Sequence, residues 1–148
     1  MDRGYSLIEL LVAIVVFLLA IAAFLPFFSA FVLNQKSLER FRTAKRLLES
    51  EVSLLRTMDL EEIGKEKLKT EYGYEETVCG GFSAQSCGGG YEWGLYKSFY
   101  NNAFCIHLCG DMDYLSPYLK RFHAYVFWKD VVGGERKIDV LFLVGEEL

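Results

Sequence analysis

The residue types able to do chemistry gather between positions 79 and 123. Cysteines stand at 79, 87, 105 and 109, and histidines at 107 and 123. Four cysteines permit three pairings. If residues 104–109 form a strand, Cys105 and Cys109 share a face roughly 13 Å apart, at ~3.3 Å per residue. A disulfide needs α-carbons within about 7 Å. Cys105–Cys109 is then excluded, and Cys79–Cys87 with it in a two-bridge set, so that Cys79 and Cys87 each pair with one of Cys105 and Cys109. If the segment is helical, the two local bridges become possible. The alternation of Phe104-Cys105-Ile106-His107-Leu108-Cys109 favours the strand.

The same residues suggest a metal. Cys105-x-His107-x-Cys109, with Cys79 or Cys87, would offer sulfur and imidazole to zinc from one strand face. However, the close C-x-x-C pair is missing. An even cysteine count beyond a membrane-length segment fits an oxidising compartment. Disulfides are therefore expected, and no metal or cofactor. His123 reads as a sheet residue. Asp111 and Asp113 lack the further oxygen ligands of a calcium loop and read as a turn. No nucleophile elbow, phosphate loop or catalytic carboxylate pair stands out, so the expectation is a protein that is not an enzyme.

The elements that must position these groups are legible in outline. The chain of 148 residues is one domain's worth. Residues 10–33 run 24 positions without a charge, interrupted only by Pro26 and Ser29. About 20 helical residues cross a hydrocarbon core, so this block is long enough to span. From Asn34 to about Met58 the texture turns amphipathic, with Leu38, Phe41, Ala44, Leu48, Val52 and Leu55 at spacings of three and four. Nothing between Leu33 and Leu38 breaks a helix. The spacing predicts one continuous helix from about Ser6 to about Met58, roughly 80 Å long at 1.5 Å per residue.

Beyond Gly64, residues 72–94 are rich in Gly and Tyr and read as loop. Two β-rich runs, 121–130 and 135–144, flank Val131-Val132-Gly133-Gly134 and predict an antiparallel hairpin. Phe122, Ala124, Val126 and Trp128 would line one face and meet Ile138, Val140, Phe142 and Val144. Tyr125, Phe127, Leu141 and Leu143 would lie on the other. The expected fold class is α+β, a long helix packed on a small antiparallel sheet.

Net charge is −4, and residues 34–148 carry 15 Lys/Arg against 18 Asp/Glu. That balance exerts no general pull on nucleic acid. The five basic residues Lys36, Arg40, Arg42, Lys45 and Arg46 read as a solvated helix face, with DNA contact the lesser reading. By the positive-inside rule alone they would lie in the cytoplasm.

The most specific signal precedes the apolar block: Arg3-Gly4-Tyr5-Ser6-Leu7-Ile8-Glu9. A secretory signal peptide would place its cleavage site after the apolar region. Ser6-x-x-Glu9 also forms a capping box. The arrangement resembles the leader of type IV prepilins and pseudopilins, with Gly4 at the cleavage glycine, Tyr5 at the first mature residue, Glu9 at the acidic position and Pro26 at the helix-kinking proline. Asp2 and Tyr5 depart from the usual basic leader and Phe. The resemblance covers about the first 55 residues.

It implies a pilin-like fold, cleavage between Gly4 and Tyr5 by a prepilin peptidase, and N-methylation of Tyr5. It further implies that Glu9 sets axial register by pairing with a neighbouring subunit's amino terminus. Residues 1–4 would be leader, 5–33 the transmembrane and filament-core half of the helix, and 34–148 the globular domain. The implied role is a minor pilin or pseudopilin of a pilus, secretion or DNA-uptake system. Its partners would be other pilins, the peptidase, an inner-membrane assembly platform and, before assembly, lipid. The C-terminal domain would lie outside the cytoplasm, in a surface or periplasmic filament after assembly. The alternative is a singly anchored envelope protein with an outer ligand- or DNA-binding domain.

Overall fold

The computed structural model describes residues 6–58, 63–83, 86–87, 90–111 and 119–145. Its elements are α1 (Leu7–Arg56), α2 (Lys65–Tyr72), β1 (Trp93–Phe99), β2 (Phe104–Gly110), β3 (Leu119–Lys129) and β4 (Glu135–Gly145). The chain separates into two units, 1–38 and 39–148.

The described part of the first unit is helix from Leu7 onward. At its start the backbone carbonyl of Ser6 accepts the amides of Glu9 and Leu10 at 2.9 and 3.2 Å. Large apolar side chains along residues 7–31 are exposed, and α1 is long and apolar enough to cross a membrane. Pro26 lies inside the helix, and the Ser29 hydroxyl donates to the Pro26 carbonyl at 2.9 Å.

In the second unit the helix becomes one-sided. Ala44, Leu48, Glu51 and Leu55 are buried, at spacings of four, three and four. Leu38 and Phe41, expected on the buried stripe, are exposed; Phe41 meets Trp128 edge-on, ring centroids 6.1 Å apart. Val52 is half-buried, and Glu51 takes the central place on the stripe.

The four strands form one antiparallel sheet in the order β1-β2-β3-β4. The expected hairpin is present, with Phe122 opposite Phe142, Ala124 opposite Val140 and Val126 opposite Ile138. Its turn is closed by the Asp130 amide donating to the Gly134 carbonyl at 2.9 Å, with Gly133 and Gly134 at φ 91° and 103°. Those angles lie in the left-handed region where a Cβ is penalised.

One sheet face, built by Leu95, Phe104, Ile106, Leu108, Phe122, Ala124, Val126, Phe142 and Val144, forms the main core with Ala44, Leu48 and Leu55 of α1. On the other face Tyr96, Cys105 and Phe127 pack with Cys79, Val78, Phe82 and Tyr125. The loop after α2 therefore covers this second face over β1 to β3, while Leu141 and Leu143 on β4 stay exposed. The loop also holds the β1 edge: Glu75 and Tyr96 exchange two backbone hydrogen bonds of 2.7 Å.

Candidate functional site

Two places on the chain carry the residues singled out from the sequence. The first is the N-terminal segment. Glu9 lies in the first turn of α1, exposed, with the exposed apolar surface directly after it. Three and four positions on, where a helical partner would stand, are Val12 and Ala13. Among the described residues no side chain pairs with its carboxylate. Gly4 and Tyr5 lie outside the described residues, as does Asp113. Pro26 sits on the exposed helix surface 17 residues beyond Glu9.

The second place is the cysteine-bearing face. Strand β2 is buried along its whole length, and its alternation sends Cys105, His107 and Cys109 to one side. Disulfides join Cys79 to Cys105 and Cys87 to Cys109, with α-carbons 5.9 and 5.7 Å apart. Each bridge ties the Gly-rich loop to β2, closing stretches of 26 and 22 residues. In a small domain such closures restrict the unfolded chain and so stabilise the fold.

His107 lies between the two bridged positions of β2. Its ring stacks on Tyr96 at 4.2 Å, nearly parallel, and faces Tyr125 at 5.8 Å. Its Nε2 lies 3.2 Å from Cys87 Sγ and 3.5 Å from Cys109 Sγ. Burial, assisted by the charge of His123, pushes its pKa down to about 4, so the imidazole is neutral at physiological pH. Gly94 makes this packing possible. A Cβ there would stand 2.7 Å from His107 Nε2 and 2.8 Å from Cys87 Sγ.

His123 is on β3, where Nε2 meets Asp139 Oδ2 at 2.8 Å and Nδ1 meets the Tyr125 hydroxyl at 2.9 Å. Asp111 accepts Arg121 Nη2 at 2.7 Å, next to a backbone hydrogen bond between the same two residues.

One charged residue with a structural role escaped the sequence reading. Glu51, on the buried stripe of α1, accepts the Tyr74 hydroxyl at 2.7 Å and Lys97 Nζ at 2.9 Å. Lys97 also lies 5.1 Å from the ring centres of Tyr74 and Phe99. The signal was available: position 51 is three past Leu48 and four before Leu55, on the face that must be apolar or internally paired.

No curated protein and no solved structure matches the chain. The N-terminal motif and the one membrane-length helix among the described residues fit a single-pass inner-membrane anchor. Residues 1–25 match the family described as the prokaryotic N-terminal methylation motif, so the chain carries the leader signature of type IV prepilins on a pilin-like α+β fold.

Proposed function

We propose that this chain is a minor pilin or pseudopilin subunit of a type IV filament system, acting by assembly and presentation rather than by catalysis. The observation that carries the reading is the pairing of the leader motif with a helix whose large apolar side chains over residues 7–31 are exposed. Such a surface requires lipid before assembly and neighbouring helices afterwards. Removal of residues 1–4 would leave Tyr5 as a methylated amino terminus, four positions before Glu9. In a helix-lined core the Glu9 carboxylate needs a cationic partner, and a neighbour's amino terminus is the one that fixes register. The disulfide-braced domain would then face outward, since the two bridges suit an oxidising compartment.

Intact mass of the protein recovered from membranes is the direct test. The expected species begins at Tyr5 and carries one added methyl group. Retention of residues 1–4 refutes the reading. A second arm separates charge pairing from helix capping at Glu9. Gln also serves in a capping box, so Glu9→Gln should keep membrane insertion yet lower incorporation into filaments. Wild-type incorporation of that variant would remove the register role.

A further inference from the structure

The strongest unassigned cluster is Cys87, His107 and Cys109, whose Sγ and ring nitrogen atoms all lie within 4.8 Å of one another. In the oxidised chain the two sulfurs are bonded, and the buried imidazole is left against them. Among the described residues, the ring nitrogens make their polar contacts only to sulfur: Nε2 at 3.2 and 3.5 Å, Nδ1 at 3.9 Å from Cys109. Disulfide sulfur is a weak acceptor and no donor. A buried imidazole so placed is poorly compensated for leaving water. The same arrangement suits a different occupant, because a tetrahedral zinc ion with Zn–S of ~2.3 Å and Zn–N of ~2.05 Å has N···S edges of about 3.6 Å and an S···S edge of about 3.8 Å. Nε2 already stands near that distance from both sulfurs, and the sulfurs need only part from their bond to reach the second.

We propose that the reduced form of this cluster is a zinc site, with Cys87 and Cys109 as thiolate ligands, His107 Nε2 as the third ligand, and the fourth position open to solvent. The steps balance with a dithiol reductant. Its two sulfurs couple into a disulfide while its two hydrogens pass to Cys87 and Cys109. Zn²⁺ then displaces both thiol protons to water, and Nε2 donates its lone pair with the ring proton held on Nδ1.

Three features of the place support it. The Tyr96 ring fixes the imidazole plane by stacking. Gly94 leaves free the space beside Nε2 and Cys87 that a Cβ would fill. A cleft of about 320 Å³, lined by Ser86, Tyr91 and Glu92, reaches Cys87 and His107 and gives an ion and a water ligand their path. The other pair also borders a cleft, of about 230 Å³ at Cys79, but among the described residues has no imidazole beside it. Cys79 and Cys105 are packed with Phe82 and Phe127, and no histidine joins their cluster. The disulfide and the zinc site are thus exclusive states of the same residues, exchanged by thiol chemistry.

The test uses the full chain in detergent micelles, reduced anaerobically with a dithiol that is then removed, and probed with Zn²⁺ and Co²⁺. One Zn²⁺ per reduced chain is expected, none on the oxidised chain, and a thiolate-to-cobalt absorption band with Co²⁺. Zinc should slow alkylation of Cys87 and Cys109, read by peptide mass, and leave Cys79 and Cys105 unaffected. Cys87→Ser should weaken zinc binding by about 100-fold or more, as loss of a ligand requires. Failure of the reduced chain to take up zinc overturns the proposal. So does equal protection of all four cysteines, a pattern that needs no variant to fold.

Discussion

The pairing of Glu51 with Tyr74 and Lys97 makes a quantitative claim about how α1 is held to the sheet. Glu51 is 6% exposed and the Lys97 side chain 21%. Tyr74 is 2% exposed, and burial first, then the adjacent Glu51 carboxylate, raise its hydroxyl well above the usual tyrosine range. It is therefore a constant donor. Glu51→Ala strips the acceptor from both partners at once. A buried hydroxyl left without an acceptor costs about 1–3 kcal/mol, and breaking a buried ion pair costs about 3–5 kcal/mol. Lys97 keeps some solvent and two ring faces at 5.1 Å, which offset about 1 kcal/mol. Because both contacts end on the one carboxylate the two costs overlap rather than add, and the expected loss is about 3–4 kcal/mol. Removing all three polar groups together, in Glu51→Leu/Tyr74→Phe/Lys97→Met, leaves nothing orphaned and should change stability by less than about 1 kcal/mol. Denaturant unfolding of the full chain in micelles, followed by near-ultraviolet circular dichroism, measures both. A loss below about 1 kcal/mol for Glu51→Ala, or a triple variant no more stable than the single one, would refute the reasoning.

Three other outcomes follow from particular contacts. Gly110→Ala would set a Cβ 2.1 Å from the Trp93 ring and should cost about 1–3 kcal/mol with loss of the Trp93 near-ultraviolet signal; a wild-type melt would contradict the packing. Because the folded-state pKa of His107, about 4, lies below the unfolded value of ~6.5, its contribution is complete above pH ~6.5 and is lost as pH falls toward 4. After discounting for solvent at the adjoining cleft that contribution is about 2 kcal/mol, and His107→Phe should flatten the stability profile of the oxidised chain across this window relative to wild type. From closed stretches of 26 and 22 residues, Cys79→Ala/Cys105→Ala and Cys87→Ala/Cys109→Ala should each lower stability by about 3.5 kcal/mol; differential unfolding that spares either pair would refute this.

The second half of the long helix, the hairpin and β2 were legible because each repeats one period, and the first half because it runs 24 residues without a charge in spite of Pro26. Strand β1 was not. Its core-facing positions are Trp93, Leu95, Lys97 and Phe99, and the lysine among them disguises the alternation. Lys97 faces inward only because Glu51 waits there across the core, a pairing 46 positions apart that no local window contains. Helix α2 was hidden for a simpler reason. Leu68 is its only buried residue, so it has no stripe to display; Gly73, left-handed at φ 70°, marks its end more plainly than any pattern marks its body. Taking β2 as a strand excluded the local bridges, since Cys105 and Cys109 then lie too far apart, but which of Cys79 and Cys87 meets Cys105 was left open and depends on the path of the loop. The cluster of Cys87 and Cys109 about His107 was only half legible. Cys109 and His107 share a strand face by period, whereas Cys87 arrives from a loop whose path depends on the bridge itself.

Two acids on α1 stand in opposite surroundings. Glu51 is buried and answered inside the chain, by a hydroxyl and an ammonium at hydrogen-bonding distance. Glu9 is set at the start of a segment apolar on every side, and its helical neighbours at 12 and 13 cannot answer it. While it lies near a membrane surface, water solvates the carboxylate at small cost. When the surrounding apolar surface is covered, that solvation is withdrawn and a counter-charge must come from outside the helix. The same burial that stabilises the apolar residues therefore makes Glu9 selective: neighbours that bring a cation to its level are favoured, and those that slip along the axis leave it unpaired. Under the proposed assembly role, affinity resides in the apolar surface and register in one carboxylate. Removing that charge should accordingly impair ordered assembly while leaving the helix able to enter a membrane.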